Sequence, residues 1–600
     1  MPASLPDVVA EHPSSPLSSA QRTIVAEAAS ALPRRARRVR EQPTHRALGR
    51  VVRDATVFLL PVGRTCAAEA EELSRTAMEA IAGLHELLLP SGTFRSGDNV
   101  DSPPDTAFTV NDLAWASTAL AAAPPAEAPG IEREHLLAEL GAALDPLLEA
   151  VTPALVRGGV HTPNHRWEIA SALCRLWEAQ GYDAARDRAE QWLGEGVDLQ
   201  ADGLFSERSA NYAAHVSVPA LLAMGRILAR EDLVEASDIA TRRQAQLTDA
   251  RGLVETLASR RQDQFAPFDG GALYPWFRAH AARTGDPSTA RAAHRTADRA
   301  DADALLTLLA LGAEDARALG PLPAPAADPV PERPEIAELR ESGLVRIDHG
   351  TSSAVLFGGT DTADLGRITS GASTRPVLAR FHGRGIGMRE LRLARDFFSL
   401  GPLRPGHPVA APTSPGALCH VLEEEVGAEY FQPLPRTAQD PQGRYDLEFN
   451  GRFAAAMDFS HRPVDVVTLR TSMQATTRPE ELELRWEFTG PATSLCLLLA
   501  LDAAPTGPGL RRDAQGRHVL EPSAGDAEGP RSAHCRLRGA EERLEISAAG
   551  ALGGRAFYDP GEAYTFLGAS DEPAGEVLLI PASSDAPLTL RLRISPDPGR

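Results

Sequence analysis

The chain has 600 residues, of which 43% are hydrophobic and 24% are charged. A chain of this length is too long for one compact core, so we expect two or more domains. The 61 Lys and Arg residues against 81 Asp and Glu residues give a net charge of −20. Because nucleic-acid binding needs a positively charged surface, this balance excludes a typical nucleic-acid partner. No stretch of roughly 20 apolar residues occurs, which predicts no membrane partner.

The N-terminal region is interpreted as a poorly ordered tail over residues 1–54. It has no apolar run of the kind that signal peptides carry, and its basic cluster at residues 34–40 is followed by polar sequence. The chain has five scattered cysteines without CxxC spacing: Cys66, Cys174, Cys419, Cys496 and Cys535. We expect reduced thiols, and the two observations together predict a cytoplasmic protein.

Residues 55–318 are predicted to form a helical catalytic domain. Apolar residues recur at three- and four-residue spacing in eight segments, at residues 66–89, 132–151, 165–180, 183–193, 213–229, 232–246, 273–283 and 300–311. Tight turns rich in Gly, Pro and Asp separate these segments, which is typical of helical hairpins arranged in an (α/α) toroid. Longer loops, at residues 90–111 and 198–211, contain the polar and aromatic residues expected to line a cleft.

The second half of the chain has a different pattern. A Pro-rich linker is predicted at residues 319–336, and residues 337–600 contain short alternating segments rich in β-branched and aromatic residues. Turn signals separate these segments, as expected of an antiparallel β-sandwich. The predicted fold class is therefore α+β and multidomain, with an N-terminal (α/α) toroid followed by a C-terminal antiparallel β-sandwich.

The residues with the clearest chemical meaning lie near the start of one predicted helix and in the loop after the next. Asn164 and His165 are adjacent at a helix mouth, and Tyr212 follows the acidic turn at Asp202 and Gly203. An amide and an imidazole can bind a carboxylate and stabilise the charge that develops when the C5 proton of a uronate is removed. An imidazole or a phenol can then transfer protons. This set predicts cleavage of a uronate glycan by β-elimination.

Each of these residues also has a simpler interpretation. Asn164 is suited to capping the helix, and its substrate-binding role requires a side chain that points outward. His165 alone is more typical of a satisfied surface or core histidine, although Trp167 nearby offers a face for stacking a sugar. A tyrosine at a helix entry, such as Tyr212, is usually a packing residue with a tethered hydroxyl.

A pair of arginines, Arg260 and Arg261, addresses the repulsion between an acidic protein and an anionic substrate. In a cleft they would bind a carboxylate or sulfate through their forked donors. The alternative is a solvated helix end with local ion pairs, for example to Asp263. The polar and aromatic residues that follow favour the substrate-binding interpretation.

Over most of its length the chain resembles the heparinase II/III-like polysaccharide lyases. The matching stretches are residues 102–108, 164–165, 202–203, 211–212, 259–263, 356–359, 397–401 and 430–435. The resemblance implies a toroid followed by a β-sandwich. It also implies that Asn164 binds the uronate carboxylate, while His165 and Tyr212 transfer protons. A His and a Tyr from the β-domain are implied as well, and His382 and Tyr430 are the candidates.

One departure from the family concerns metal. Members with a structural zinc carry a tight His-x-His run, but here the region around Phe381 to Gly387 has the single histidine His382. We therefore predict no metal and no cofactor. The missing signal peptide is a second departure, and it suggests action on imported oligosaccharides.

Two other functions remain open. Helical toroids also host glycoside hydrolases, which use a pair of carboxylates. Asp105 and Glu207, both predicted in the substrate-binding cleft, are the best pair among six candidates that also include Asp98, Asp101, Asp202 and Asp269. The third function is a carbohydrate-binding protein without catalysis. The sequence does not identify the sugar, and it leaves open whether the chain forms a homodimer.

Overall fold

The computed structural model describes residues 17–61, 67–97, 99–123, 131–323, 334–361, 371–450, 453–522, 531–558 and 572–597. Two of the residues singled out above, Cys66 and Asp98, lie outside these ranges, as does most of the predicted linker. The chain divides into two compact units, residues 1–328 and 329–600. No helix among the described residues is long and apolar enough to cross a membrane.

The first unit is helical. Its helices are α1 Ser19–Glu41, α2 His45–Leu59, α3 Ala67–Leu87, α4 Pro103–Ala121, α5 Ile131–Arg157, α6 Pro163–Gln180, α7 Asp183–Leu193, α8 Ala210–Tyr212, α9 Val218–Ile227, α10 Glu231–Leu247, α11 Tyr274–Thr284, α12 Pro287–Thr296 and α13 Ala302–Glu314. A π-helical turn, Ala213–Ser217, joins α8 to α9. All eight predicted helical segments are found, so the periodicity was a reliable guide where it was strong.

These helices form a closed ring of hairpins. Helix α2 packs on α3, α4 on α5, α6 on α7, α9 on α10 and α11 on α12. The inner helices also contact one another in sequence, from α2 to α4, α6 and α9. The ring closes because α13 packs against α1 and α2. One ion pair across this closure joins Arg53 of α2 to Asp303 of α13 at 2.6 Å.

Two predictions about loops are corrected by the structure. Residues 19–41 and 45–59 are helical, so the described part of the segment predicted as a poorly ordered tail contains α1 and the first ten residues of α2. Ser18 and Thr44 cap these helices with their hydroxyls. The predicted loop at residues 90–111 contains the start of α4, where two prolines occupy the first turn. Proline fits there because the first turn has no intrahelical partner for its missing N–H.

The second unit consists of strands. After the two-residue strands β1 Leu253–Val254 and β2 Phe268–Asp269 of the first unit, the strands are β3 Glu335–Leu339, β4 Leu344–Asp348, β5 Ser353–Phe357, β6 Ala379–His382, β7 Gly387–Arg395, β8 Val409–Ala411, β9 Leu418–Phe431, β10 Leu447–Phe449, β11 Ala454–Ala456, β12 Val464–Arg478, β13 Glu481–Thr489, β14 Ser494–Leu501, β15 Leu510–Arg512, β16 His518–Leu520, β17 Arg531–Arg538, β18 Glu542–Gly550, β19 Glu576–Ser583 and β20 Leu588–Pro596. The five alternating segments of the sequence, at residues 353–357, 447–449, 466–469, 482–488 and 588–594, all lie in these strands.

Two sheets pack face to face in this unit. The larger has the order β15-β16-β19-β14-β7-β6-β5-β4-β3, and the smaller has the order β17-β18-β20-β13-β12-β9-β8. Pairing is antiparallel throughout except between β16 and β19. One apolar core joins Leu393 and Leu497 of the larger sheet to Met473, Trp486 and Leu590 of the smaller sheet. The predicted fold class, a helical toroid followed by an antiparallel β-sandwich, is confirmed.

The four described cysteines, Cys174, Cys419, Cys496 and Cys535, are buried and free. Burial raises the pKa of the Cys174 and Cys535 thiols to about 12, so these groups stay protonated. They act as small core residues, as predicted for reduced thiols.

Candidate active site

A cavity of about 560 Å³, which we call the central chamber, lies inside the helical ring. It is lined by α2, α4, α6, α9, α11 and α13, together with Tyr212 and the π-turn that follows it. Small-molecule sites commonly occupy roughly 300–1,000 Å³, so the chamber has the volume of a binding site. Its surface carries charged residues from several helices beside aromatic ones such as Phe108 and Trp276.

Two arginines of α2 are half-exposed in the central chamber. The side chains of Arg46 and Arg50 are each 45% exposed. Arg46 donates to Asp105, and its guanidinium lies 3.7 Å from the ring centre of Phe108. Arg50 pairs with Asp303 at 2.7 Å. The two arginines are four residues apart, so they lie on the same face of the helix.

A second cavity, of about 320 Å³, adjoins the same residues of α8. Its lining residues are Ser209, Asn211, Tyr212, Arg261, Gln262, Asp263 and Phe268. Asn211 and Tyr212 line both cavities. These two side chains therefore stand where a ligand in one cavity would continue into the other.

The hydroxyl of Tyr212 is held by a predicted site residue. Arg261 donates from Nη2 to the Tyr212 oxygen at 3.2 Å, and its guanidinium lies 4.9 Å from the centre of the tyrosine ring. Nη1 of the same arginine lies 3.3 Å from Oε1 of Glu207. Since the tyrosine oxygen accepts this bond, its own proton remains available for another acceptor. The structure thus brings Tyr212, Arg261 and Glu207 together.

Asn164 belongs to the same network, but its amide is occupied. Its Nδ2 donates to Glu207 Oε1 at 3.0 Å and to Thr162 Oγ1 at 3.1 Å, and its backbone N–H donates to Glu207 Oε2 at 3.1 Å. Glu207 therefore fills the helix mouth where a substrate carboxylate was expected. The outward-pointing side chain that this prediction required is absent, because Asn164 is buried and both its amide protons are used.

Glu207 and Asp263 are thus structural anchors of the loops around Tyr212. Burial raises the pKa of Glu207, while Arg261 and Asn164 lower it. Asp263 accepts from the Ser209 hydroxyl at 3.0 Å and from the backbone N–H of Asn211 at 3.1 Å. This carboxylate fixes the first turn of α8, which carries Tyr212. Glu207, predicted to bind substrate, instead bonds to protein groups.

His165 lies next to this network, outside both sets of cavity-lining residues. Its ring is half-buried and meets the ring of His161 edge-on at 4.8 Å. Burial lowers the pKa of His165 to about 4, with further lowering by His161, Arg46 and Arg261. The imidazole is therefore neutral near pH 7 and can accept a proton. Within the described residues its Nδ1 has no hydrogen-bond partner.

Two further predictions are corrected. Trp167 is only 1% exposed, and its indole donates to Asp198 at 3.0 Å, so it offers no face to a sugar. Trp167 lies three residues after Asn164 on α6, and both side chains are on the buried face of that helix. Arg260 donates to the backbone carbonyl of Ser206 at 3.2 Å and lines neither cavity. Of the two predicted arginines, Arg261 alone reaches the site.

Asp105 is bonded to His45 and Arg46 and does not present a free carboxylate. It is buried, accepts from His45 Nε2 at 3.0 Å, and pairs with Arg46. The bond to His45 and the charge of Arg46 outweigh burial and hold its pKa well below the usual range. An ionised carboxylate could act only as the base of a hydrolase pair. Asp105 is bonded to His45 and Arg46, and Glu207 is bonded to Asn164, so neither carboxyl is free for a glycosidic bond.

His215 was missed by the sequence analysis. It lies in the π-turn, three residues after Tyr212, and its ring is exposed in the central chamber. The enclosing protein and the charge of Arg50 lower its pKa. Turns of this kind are often found at functional sites. Tyr212 was predicted at the entry of the helix that contains His215, and the three-residue spacing between them was the signal that could have identified it.

Glu168 was also missed. It is buried beside the central chamber, and burial raises its pKa to about 8. Asn111 donates to its Oε1 at 2.7 Å, while the Ser171 hydroxyl donates to the Asn111 carbonyl at 2.9 Å. This carboxyl is therefore largely protonated near pH 7. It is three residues after His165, so helical spacing could have suggested the pair.

The two candidates from the β-domain lie in the second unit, where their surroundings differ. His382 ends β6 in a buried position, with its Nδ1 3.8 Å from Asp502. His382 and Arg389 lower the pKa of Asp502 to about 2 against the effect of burial. Tyr430, near the end of β9, is 53% exposed and meets Phe398 edge-on at 6.0 Å. Their catalytic roles stay predictions.

Metal ligation has no candidate site in the part of the chain that the structure describes. There, no group of three or more His, Cys, Asp or Glu side chains is arranged to hold an ion. Within the central chamber, Asp303 pairs with Arg50 and Arg53, and Glu314 pairs with Arg175.

No family model matches the sequence, and no curated protein matches it. Solved structures do match. The chondroitin AC lyase of Streptomyces coelicolor A3, in complex with chondroitin sulphate, is similar over 95% of this chain and 80% of its own, with 14% identity and a TM-score of 0.48. A xanthan lyase of Paenibacillus is similar over 95% of this chain and 57% of its own, with 8% identity and a TM-score of 0.50. At these identities, the likeness concerns the fold: a helical toroid followed by β-sheets.

Proposed function

We propose that this protein is a polysaccharide or oligosaccharide lyase that cleaves next to a uronic acid by β-elimination, of the heparinase II/III-like type. The observation that carries the proposal is the position of Tyr212. Its hydroxyl accepts a hydrogen bond from Arg261, and the residue lines both cavities. A glycan that occupies both cavities would place a glycosidic bond beside this hydroxyl.

The proposed roles follow from the hydrogen-bond directions. Tyr212 accepts from Arg261, so its proton can pass to the leaving glycosidic oxygen. Removal of the C5 proton needs a base that is unprotonated, which for a histidine means the neutral imidazole. His165 is that base by resemblance, and His215 is the second neutral histidine, which lines the same chamber as Tyr212. Arg261 also offsets the negative charge that builds up during elimination.

The likeness in fold to a xanthan lyase supports the proposal only at the level of architecture, since one fold hosts many activities. The residues carry the chemical argument. The cytoplasmic location remains a proposal that rests on the reduced cysteines.

The first experiment exposes the purified protein to a panel of uronate-containing glycans and follows ultraviolet absorbance. A lyase leaves a conjugated double bond in its product, whereas a hydrolase leaves none. We expect absorbance to rise for one panel member and Tyr212→Phe to lower kcat by roughly 100-fold or more, since a general acid contributes about 10²–10⁴-fold. Tyr182→Phe is the matched control, because Tyr182 is an exposed residue at the start of α7.

Variants of the two histidines identify the base. His165→Ala and His215→Ala should differ in kcat, and the larger loss marks the residue that takes the C5 proton. If Tyr212→Phe keeps the wild-type kcat, the assignment of the tyrosine is wrong.

A glycoside hydrolase remains the second candidate because of Glu168. Its carboxyl stays protonated near pH 7 and lies beside the central chamber, as a general acid would. New reducing ends without absorbance, lost in Glu168→Gln, would establish hydrolysis in place of elimination.

A further inference from the structure

The occupied amide of Asn164 leaves the substrate carboxylate without its expected partner. β-Elimination requires that carboxylate to be neutralised, because its charge opposes removal of the neighbouring proton. Both amide protons and the backbone N–H of Asn164 are bound by Glu207 and Thr162. A different cationic or amide group must therefore bind the substrate.

The arginines of the central chamber differ in how far they are already neutralised. Arg53 is buried and bonds to Asp54 and Asp303, both at 2.6 Å. Arg175 is 12% exposed and pairs with Glu314 at 2.8 Å. These two have little surface left for a ligand.

Arg46 and Arg50 are different, because each side chain is 45% exposed. Arg46 uses Nη2 for Asp105, and Arg50 uses Nη1 for Asp303. Each guanidinium has five N–H donors, so each keeps donors for a second anion. Their protein partners hold the planes in place, which reduces the entropy lost on binding.

The spacing of these two arginines suits one carboxylate. Side chains four residues apart on a helix have Cβ atoms about 5–6 Å apart, so a carboxylate between them can accept from both. Both line the chamber that Tyr212 lines. Arg46 is also close enough to His165 to lower its pKa, and Arg50 does the same for His215.

We propose that helix α2 binds the carboxylate of a hexuronate residue through Arg46 and Arg50, and that this pair selects uronate glycans over neutral ones. The inference rests on the proposed function, since it assigns a substrate group to the same chamber. It gives a direct role in recognition to a helix whose first ten residues fall within the segment predicted as a disordered tail.

The experiment compares binding of a uronate oligosaccharide with binding of its carboxyl-reduced counterpart, in which the uronate is a neutral hexose. Calorimetry in a Tyr212→Phe background prevents turnover. Hydrogen bonds to charged groups contribute about 1.5–3 kcal/mol, so Arg46→Gln and Arg50→Gln should each weaken binding of the uronate ligand roughly 10- to 100-fold. Binding of the carboxyl-reduced ligand should stay as in the parent. Arg230→Gln is the control, because Arg230 pairs with Asp232 outside the chamber.

Two further variants separate binding from folding. Arg46→Lys keeps a cation beside Asp105, so it should melt with the parent protein and recover part of the binding. Arg50→Gln leaves Arg53 to pair with Asp303, so its fold should persist even if Arg46→Gln unfolds.

The outcomes distinguish the two proposals. If the wild-type protein cleaves a uronate glycan and both glutamine variants bind it normally, the inference fails and the lyase function stands. Equal loss of binding for both ligands would mean that the arginines only shape the chamber, which also overturns the inference. If the wild-type protein neither binds nor cleaves any uronate glycan, both proposals fall.

Discussion

The two units of the chain use their arginines in different ways. In the β-sandwich, Arg392 has a fully buried side chain that bonds to Glu390 at 2.6 Å and to the hydroxyl of Tyr558. Arg375 joins the same glutamate at 2.5 Å. In the helical ring, Arg46 pairs with Asp105, and Arg50 pairs with Asp303 and, at 4.0 Å, with Asp112. Both arginine side chains still keep nearly half of their surface exposed in a cavity.

This difference distinguishes arginines that stabilise the fold from arginines that can bind a ligand. A guanidinium whose bonds are all made inside the protein holds the fold, because removing it leaves its partner charge buried. A guanidinium that faces a cavity contributes little to folding and remains able to bind an anion. The exposed fraction of the arginine side chain distinguishes the two kinds of arginine better than the presence of an ion pair does.

The largest expected effect is on the closed cluster. Arg392→Met leaves Glu390 with one cation fewer at a buried site, and breaking a buried pair typically costs about 3–5 kcal/mol. We expect a clear fall in the denaturant midpoint of the β-sandwich transition. Arg485→Met is the control, because Arg485 pairs with Glu487 on an exposed face of β13. An unchanged midpoint for Arg392→Met would remove the contrast between the two units.

An intermediate effect is expected from Glu168 and its dependence on pH. Burial raises the pKa of this carboxyl from 4.5 in the unfolded chain to about 8. Between these values the folded state keeps a proton that the unfolded state has lost, so stability falls as pH rises through this window. Glu168→Gln keeps the bond to Asn111 without titrating. Its stability relative to wild type should rise by roughly 3–4 kcal/mol from about pH 5 to about pH 8.

Thermal melts of both proteins across that range measure the difference. Parallel curves for wild type and Glu168→Gln would show that the carboxyl keeps its ordinary pKa. The hydrolase alternative would then lose its general acid as well.

The smallest expected effect on stability is at the open pair. Arg50→Gln removes a half-exposed cation whose partner Asp303 keeps Arg53, so the free energy of unfolding should change by less than about 1 kcal/mol. Denaturant unfolding of the helical unit measures this change. A loss as large as that of Arg392→Met would place Arg50 among the structural arginines.

The sequence predicted most of the fold, and the exceptions have physical causes. Helices with one apolar stripe were found because the stripe repeats with the helical period. Helix α2 was missed because it is buried on nearly all sides, with polar residues such as Arg53 and Asp54 paired internally. Helix α4 was missed because its two leading prolines were interpreted as a loop.

The site was predicted in part. Asn164, Tyr212 and Arg261 were singled out separately. In the structure Glu207 contacts Asn164 and Arg261, and Arg261 in turn contacts Tyr212. No local pattern could predict that Glu207 would occupy the amide, because the two residues are 43 positions apart and meet only when the ring forms. Arg46 and Arg50 of the central chamber were missed for the same reason. Whether an arginine can bind a substrate there depends on which side chains face the axis of the ring.

Closure of the ring by its last helix has a consequence for synthesis. The bond between Arg53 and Asp303 spans 250 positions, so α1 and α2 leave the ribosome long before α13 can cover them. At bacterial and eukaryotic translation rates of about 5–20 residues per second, this interval is roughly 10 to 50 seconds. During that time the apolar surface of α2 depends on its neighbours α3 and α4 for cover. Until α13 is made, the surface of α2 that it covers stays exposed, and slower translation before α13 would lengthen that exposure.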